Sequence, residues 1–389
     1  MNRYIRQLGE SVRRGDLILL LLCLMTTAFG ILIIASVTNH MGTIRLVVVQ
    51  IIAAALGVLL FAITSSIDAD FFSEHRMVLL GISCFLLLLL IPFGTDNGTG
   101  NRSWLKIPLM PVDIQPAEVC KLFYVLITAS VMASHQNNIS HWRSVLHILW
   151  YLVVIVGLNM LLSRDLGVSL IFIFIFAGMA FAGGVGWIWF AAAGLGLAVL
   201  APIAWQFLGE YQRLRIQILY DPTIDPMGTG PRWHSMNAQK SLTGGGMLGQ
   251  GLFEGHRTQQ GLLFGQHTDY IFASIGEELG FLGCALVLVM LGLIVARCIW
   301  VGTRSQDYTR RMICFGCSAA LIFQIFSNVG MCLGLTPVIG LTLPFISYGG
   351  SSLVSLYAMM GLVSGVYARP TATSHERYIR PPLSTYSFR

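Results

Sequence analysis

Read for its apolar and polar positions, the chain falls into ten long apolar runs separated by polar breaks. The runs cover roughly 17–37, 46–64, 77–93, 117–133, 145–162, 166–182, 187–208, 270–296, 312–333 and 353–367. About 20 apolar residues in a helix cross a bilayer, and most runs approach that length. They lack the two-residue alternation of barrel strands, so they read as helices whose backbone groups pair within each segment. The predicted fold is an all-α integral membrane protein, a polytopic bundle of about ten transmembrane helices with a long outer loop between spans seven and eight. Residues 1–389 form a single membrane domain, with an N-terminus (1–16), a bundle (17–368) that includes the loop 209–269, and a tail (369–389). No A-x-A cleavage site follows the first run, so it reads as a retained helix.

The breaks are informative. The 209–269 loop carries Pro222, Pro226, Pro231 and the Gly-rich stretch "TGGGMLGQG" (Thr243 to Gly251). Loops this long are functional or disordered. This one holds Trp233, Leu242, Leu248, Phe253 and Phe264, which predicts order against the bundle. A second loop, about 94–116, contains "NRSWLKIP". A third segment, "GLTPVIGLTLPFISYGGSS" (Gly334 to Ser352), is apolar but too rich in Pro and Gly for one helix. It reads as an irregular or re-entrant stretch buried in protein or lining a cavity.

Charge adds orientation. With the N-terminus inside, cytoplasmic segments hold 14 Arg or Lys and the short outer segments 5, with the other five in the long loop. That bias places both termini in the cytoplasm. Composition agrees with the membrane assignment: 55% hydrophobic, 11% charged, mean hydropathy +0.72. A soluble domain carries roughly 25% charge. The net charge of +6 is dispersed over helix ends and makes no basic stripe with aromatics, so no nucleic-acid partner is expected. The eight cysteines are scattered, and the one CxxC (Cys314, Cys317) lies in an apolar run without a second ligand pair, which reads as packing. There is no GxxxxGK[ST] phosphate loop.

Acids are scarce, 18 in 389 residues, so those near membrane runs stand out. Asp269 heads span eight. Ala273, Gly276, Gly280 and Gly283 follow it within about 40° on a continuous helix, a small-residue stripe that faces other helices. Asp269 is then either a helix N-cap or a group aimed into the bundle. Glu277 borders that stripe and Glu278 lies opposite, as paired structural groups or as the wall of a polar cavity. Glu118 and Lys121 in "DIQPAEVCK" are i, i+3 neighbours after Pro116, read as a local ion pair or as a cavity-lining pair. Arg45 and Asp165 sit at the same outer level and could pair. "ISYGGSS" contributes Ser347, Gly349 and Gly350 before span ten, where backbone N–H groups either pack and cap or hold phosphate. Arg213 is an interfacial cation or a pyrophosphate contact. Together these describe an outward-facing cavity holding a carboxylate and several cations, suited to a lipid with an anionic head group.

Several stretches resemble the shape, elongation, division and sporulation family typified by RodA, FtsW and SpoVE: "HTDYIFASIGEELGFLG" (267–283), "PVIGLTLPFISYGGSS" (337–352), "DIQPAEVCK" (113–121), "RDLG" (164–167), "NRSWLKI" (101–107) and "YQRLRIQILYDPTIDPMGTG" (211–230). The likeness runs from about 15 to 368. It implies a peptidoglycan glycosyltransferase that polymerises lipid II on the outer face of the bacterial cytoplasmic membrane. It implies Asp269 as catalytic base and Glu118, Lys121, Arg213 and Ser347 as outer-cavity residues; Arg102, Lys106, Arg45, Asp165 and His267 are further substrate-side candidates. Glu277, Glu278, Gly349 and Gly350 shape the site. A class B penicillin-binding protein and other elongation or division proteins are the implied partners, with membrane lipids around them and a magnesium or manganese ion as a candidate cofactor. Two stretches depart from the family pattern: "LFGQ" (Leu263 to Gln266) stands where LPE is usual, and "QKSLTGGG" (Gln239 to Gly246) differs in detail. The short tail and loop pattern lean toward the elongation branch. A lipid flippase and a cell-wall scaffold are the competing readings. The first needs polar groups along the whole path, and the second needs no Asp269 in a cavity.

Overall fold

The computed structural model describes residues 15–68, 71, 74–95, 102–106, 113–207, 209–225 and 232–369. The arginine-bearing segments 1–14 and 370–389, both expected in the cytoplasm, lie outside the described residues. All ten expected spans are helical: α1 (Leu17–Val37), α2 (Arg45–Ser66), α3 (Arg76–Phe93), α4 (Pro116–Ser134), α5 (Trp142–Leu162), α6 (Leu166–Ala182), α7 (Trp187–Phe207), α10 (Ile271–Arg304), α11 (Tyr308–Leu333) and α12 (Gly350–Ala368). Eight are long and apolar enough to cross a membrane, while α6 and the apolar part of α7, Trp187–Pro202, are shorter. The long loop adds α8 (Glu210–Tyr220), α9 (Arg232–Gly244) and a single turn, His256–Gln259. Their mixed polarity hid these helices from the apolar pattern.

Burial sorts the helices into layers. In α12 78% of the apolar window is buried, and in α4 and α11 72%, against 22–39% in α1, α2, α3, α5 and α10. The central α12 is built from Gly, Ser and Ala as much as from large side chains, which lets neighbours approach closely. Gly57 of α2, for instance, admits the Tyr357 ring into its side. Segment 334–349 is irregular and buried at Leu341, Leu343, Phe345 and Ile346, as its Pro and Gly content predicts. The eight cysteines are free, seven of them buried.

One end of the bundle is fastened by charge. Arg297 donates two hydrogen bonds to Asp16, at 2.8 and 3.1 Å, and the Asp16 N–H donates to Ser364 Oγ. Residues 16 and 364 therefore lie at the same end, as an even number of crossings requires. Arg310, 1% exposed, pairs with Asp68 at 2.9 Å and donates to the Arg369 carbonyl. Arg369 in turn donates to the carbonyls of Ser65, Ser66 and Ile67.

At the other end, span eight departs from the expected continuous helix. Gly280 has φ 66° and ψ −163°, so α10 is two helices meeting at a break. The loop fills the break with main chain. Gln250 and Gly251 N–H donate to the Glu277 and Glu278 carbonyls at 2.9 and 3.0 Å. Phe281 and Leu282 N–H donate to the Gly246 and Met247 carbonyls at 2.9 and 3.2 Å. Backbone can come this close only without side chains: a Cβ on Gly249 would collide with the Glu278 carbonyl. This is the work of the Gly-rich stretch. The break also interrupts the continuous helix on which the small-residue stripe from Asp269 to Gly283 was expected. The described part of the loop packs on the bundle, yet not through all the apolar residues expected to hold it. Leu248 and Phe264 are 77% and 73% exposed, because glycine backbone and the Glu277–Glu278 pair anchor the loop instead.

Candidate active site

Two irregular segments meet at the loop end and are laced together through main-chain atoms. Ser347 Oγ donates to the Thr268 carbonyl at 2.6 Å and accepts from Leu343 N–H at 2.8 Å. Tyr348 N–H donates to the His267 carbonyl at 2.8 Å. Asn328 of α11 donates to the carbonyls of both Asp269 and Leu341, at 2.8 and 2.7 Å. Gln50 of α2 donates to the Ser347 carbonyl and accepts from Gly349 N–H. The main chain around Asp269 is thus fixed from three elements, and the Asp269 side chain turns into a cavity of about 610 Å³. Asp269 is not a helix cap: Tyr270 holds that position, with no side-chain capping bond.

Asp269, Glu118, Asp165, His267, Arg45, Gly349 and Gly350 line this cavity, so the structure brings together seven of the residues singled out in the sequence. It keeps others apart. Lys121 is fully buried behind Glu118, ion-paired with it at 2.8 Å, and does not line the cavity. Glu118 also accepts from Ser355. Arg213 lies on α8, outside the lining, and donates to the Gln206 carbonyl. Arg102 and Lys106 are exposed beside Ser103 and Trp104, which do line it. Ser347 sits behind the wall as a brace. Glu277 and Glu278 are buried away from the cavity and serve the loop. Glu277 accepts from Arg257 N–H and Thr258 Oγ1, and Glu278 from Ser36 Oγ and Gln259 Nε2. Gln266 donates to the carbonyls of Val37 and Thr258.

Of the expected cations, only Arg45 is in the lining. Among the described residues the lining holds four carboxylates, Asp113, Glu118, Asp165 and Asp269, and one guanidinium, Arg45. Asp165 does not pair with Arg45. It caps α6 through Val168 N–H and accepts from Gln115 and, at 3.5 Å, from Ser103. Burial, and then the Asp165 carboxylate, push the Asp269 pKa up to about 6. Burial likewise raises Asp165. Burial and His40 lower His267, so its imidazole stays neutral near pH 7. Among the described residues, no three of His, Cys, Asp or Glu gather as a metal cage.

Sequence reasoning passed over Gln115, Trp104, Tyr348 and Gln324 on the wall, and Gln50 and Asn328 behind it. For α11 a signal existed: Gln324 and Asn328 stand one helical turn apart in an otherwise apolar run.

Residues 16–371 match the sequence profile of the FtsW, RodA and SpoVE family, described as cell cycle proteins. The chain is 30% identical over 354 residues to the peptidoglycan glycosyltransferase MrdB of Escherichia coli K12, covering 90% of this chain and 93% of that one. It is 31% identical over 380 residues to a probable peptidoglycan glycosyltransferase FtsW of Geobacter metallireducens, covering 94% and 97%. Among solved structures it resembles a chain from work on the structural coordination of polymerization and crosslinking by a peptidoglycan synthase complex. That match has a TM-score of 0.77 at 29% identity and covers 94% of this chain and 99% of that one. It also resembles the rod shape determining protein RodA of Thermus thermophilus, with TM-score 0.67, 27% identity and coverage of 91% and 96%.

Proposed function

The chain belongs to the FtsW, RodA and SpoVE family of cell cycle proteins and is a peptidoglycan glycosyltransferase, and from that premise we propose that it polymerises lipid II for cell elongation with Asp269 as general base. The observation that carries this reading is Asp269 itself. It is a carboxylate with a pKa near 6, held by its main chain and directed into the polar cavity at the loop end. A general base works best with a pKa near the operating pH.

Asp269 takes the proton from a hydroxyl of the acceptor sugar. The oxygen attacks the anomeric carbon of the second chain, and the bond to its lipid pyrophosphate breaks with inversion. A glycosidase needs a second carboxylic acid to protonate its leaving alcohol. Pyrophosphate leaves as an anion and does not. The described lining carries more carboxylates than cations, so the neutral sugars occupy the cavity and the pyrophosphate stays at the rim, near Arg45 and the exposed Arg102 and Lys106. The buried Lys121 balances Glu118 and keeps that wall from adding charge. Among the described residues no cluster of three His, Cys, Asp or Glu fits a magnesium or manganese ion, and the steps above use none.

The paired charges at the far end support the enzyme over the flippase. There Asp16 and Arg297, and Asp68 and Arg310, are committed to one another rather than open to a passing head group. The arginine bias supports placing that end, and both termini, in the cytoplasm of a bacterial inner membrane. The likeness to a synthase complex supports a class B penicillin-binding protein as partner. The test is polymerisation of labelled lipid II by purified protein, alone and with that partner; binding without polymer in both cases would return the flippase reading. Sidedness is checked by labelling Thr243→Cys and Thr303→Cys, both exposed positions. The first should react from outside and the second only after permeabilisation.

A further inference from the structure

Gln324 lies on α11, 1% exposed, and lines the same cavity as Asp269. Its amide oxygen has no hydrogen-bond partner. A buried acceptor without a donor costs free energy. Because the side chain borders the cavity, an occupant of the cavity can supply the donor. One turn further along the helix, Asn328 fixes the Asp269 main chain, so Gln324 shares a face with the group that sets the base.

We infer that Gln324 is a specificity-determining contact of the acceptor: its amide hydrogen-bonds an uncharged hydroxyl or acetamido substituent on the sugar whose hydroxyl Asp269 deprotonates. This rests on reading the cavity as the sugar site. An amide neither ionises nor offsets charge, so it discriminates among neutral groups. A half-rotation exchanges its donor and acceptor ends, and either end matches a hydroxyl or an amide. Sites that hydrogen-bond a substrate group reject analogues lacking it, because their own polar atom is then left unpaired.

The test uses full-length protein in nanodiscs. It measures binding and polymerisation of a lipid-linked disaccharide and of analogues lacking either the acetyl group or a ring hydroxyl. Gln324→Met keeps the length and removes the polar end. Binding should weaken about 10- to 100-fold. The melting temperature should hold or rise, because the orphaned oxygen loses no internal bond, and the acidic limb of the pH profile should stay near 6. The analogue lacking the contacted group should bind wild type poorly and Gln324→Met no worse, which also tells acetamido from hydroxyl. Full-strength binding by Gln324→Met, or analogue penalties that add to those of the mutation, would overturn the contact. Because binding is read apart from turnover, a wild-type protein that binds but never polymerises would count against the enzymatic reading and leave the contact decided.

Discussion

At the end of the bundle that holds Asp16 and Arg369, two described acids are matched: Asp16 holds Arg297 and Asp68 holds Arg310. At the loop end, Asp113, Glu118, Asp165 and Asp269 share one cavity whose described lining contains a single arginine. The chain has only 18 acids, so the contrast comes from where each is placed. Paired charge fastens helices and closes a path. Beside the void, burial raises the pKa values of Asp165 and Asp269, and the Asp165 carboxylate adds to the rise at Asp269, which costs stability and supplies a base. The same residue type thus serves as a clamp at one end and as chemistry at the other.

The largest effect expected from breaking this contrast is at Asp269. Asp269→Asn removes the proton acceptor and keeps the shape. Polymerisation should fall roughly 10²–10⁴-fold while lipid II binding survives. The sign of the stability change runs the other way. With a folded pKa raised to about 6, the protonated form favours folding. That contribution is full below about pH 4 and is lost as pH rises through 6. Asp269→Asn should therefore melt no lower than wild type at pH 8, with the difference shrinking toward pH 4. Wild-type activity should drop as pH falls through about 6. Near-normal polymer from the folded variant would remove Asp269 as the base.

Lys121 is a buried cation at the loop end that is paired as the far end pairs its own. Breaking a buried pair from one side strands the other charge, at a cost of about 3–5 kcal/mol. Lys121→Ala should lower the melting temperature sharply by leaving Glu118 with Ser355 alone. Adding Glu118→Gln should recover much of it. A Lys121→Ala protein with an unchanged melting temperature but a raised KM would instead place Lys121 on the substrate.

The ten spans were legible because each is a near-continuous apolar run, and that signal needs no tertiary context. The irregular 334–349 segment was legible because Pro and Gly forbid a single helix. Asp269 emerged as a candidate from its place at a span head, and its role came from family likeness rather than from spacing. The break at Gly280 was not legible. Helices tolerate single glycines, and the main chain that fills the break belongs to a separate stretch of the loop, Gly246 to Gly251. The placing of the cations was not legible for a similar reason: nothing in the sequence tells which way Lys121 or Arg213 faces. The acids in span eight looked costly for a membrane helix. The break explains them, because Glu277 and Glu278 belong to a short segment wrapped by the loop and bonded to it.

Removing the clamp at the far end should cost less than stranding Glu118. Asp16 is buried but Arg297 keeps 16% of its side-chain surface, so solvent screens part of the pair. Arg297→Ala should destabilise by roughly 2 kcal/mol, read as a lower melting temperature, with polymerisation per folded molecule unchanged. A selective loss of activity would mean that the two ends are coupled.

The finest test compares two glycines of α10. Gly292 is helical, and a Cβ there meets nothing within 4 Å. Gly292→Ala should be neutral or stabilise by up to about 1 kcal/mol, as alanine restricts the unfolded chain. Gly280 has φ 66°, and its Cβ would stand 2.6 Å from the Met247 carbonyl oxygen. Gly280→Ala therefore meets both backbone strain, about 1–3 kcal/mol, and the inserted loop. The damage should be local. Amide exchange should speed up at Gln250, Gly251, Phe281 and Leu282, whose N–H groups bridge the break, and stay slow farther along α10 around Leu291 and Ile294. If the break only relieves a bend, exchange would change evenly along α10. If it is a socket for the loop, only the bridging amides respond. Asp269, at the head of the segment that the loop holds, then loses the fixed frame from which its carboxylate enters the cavity.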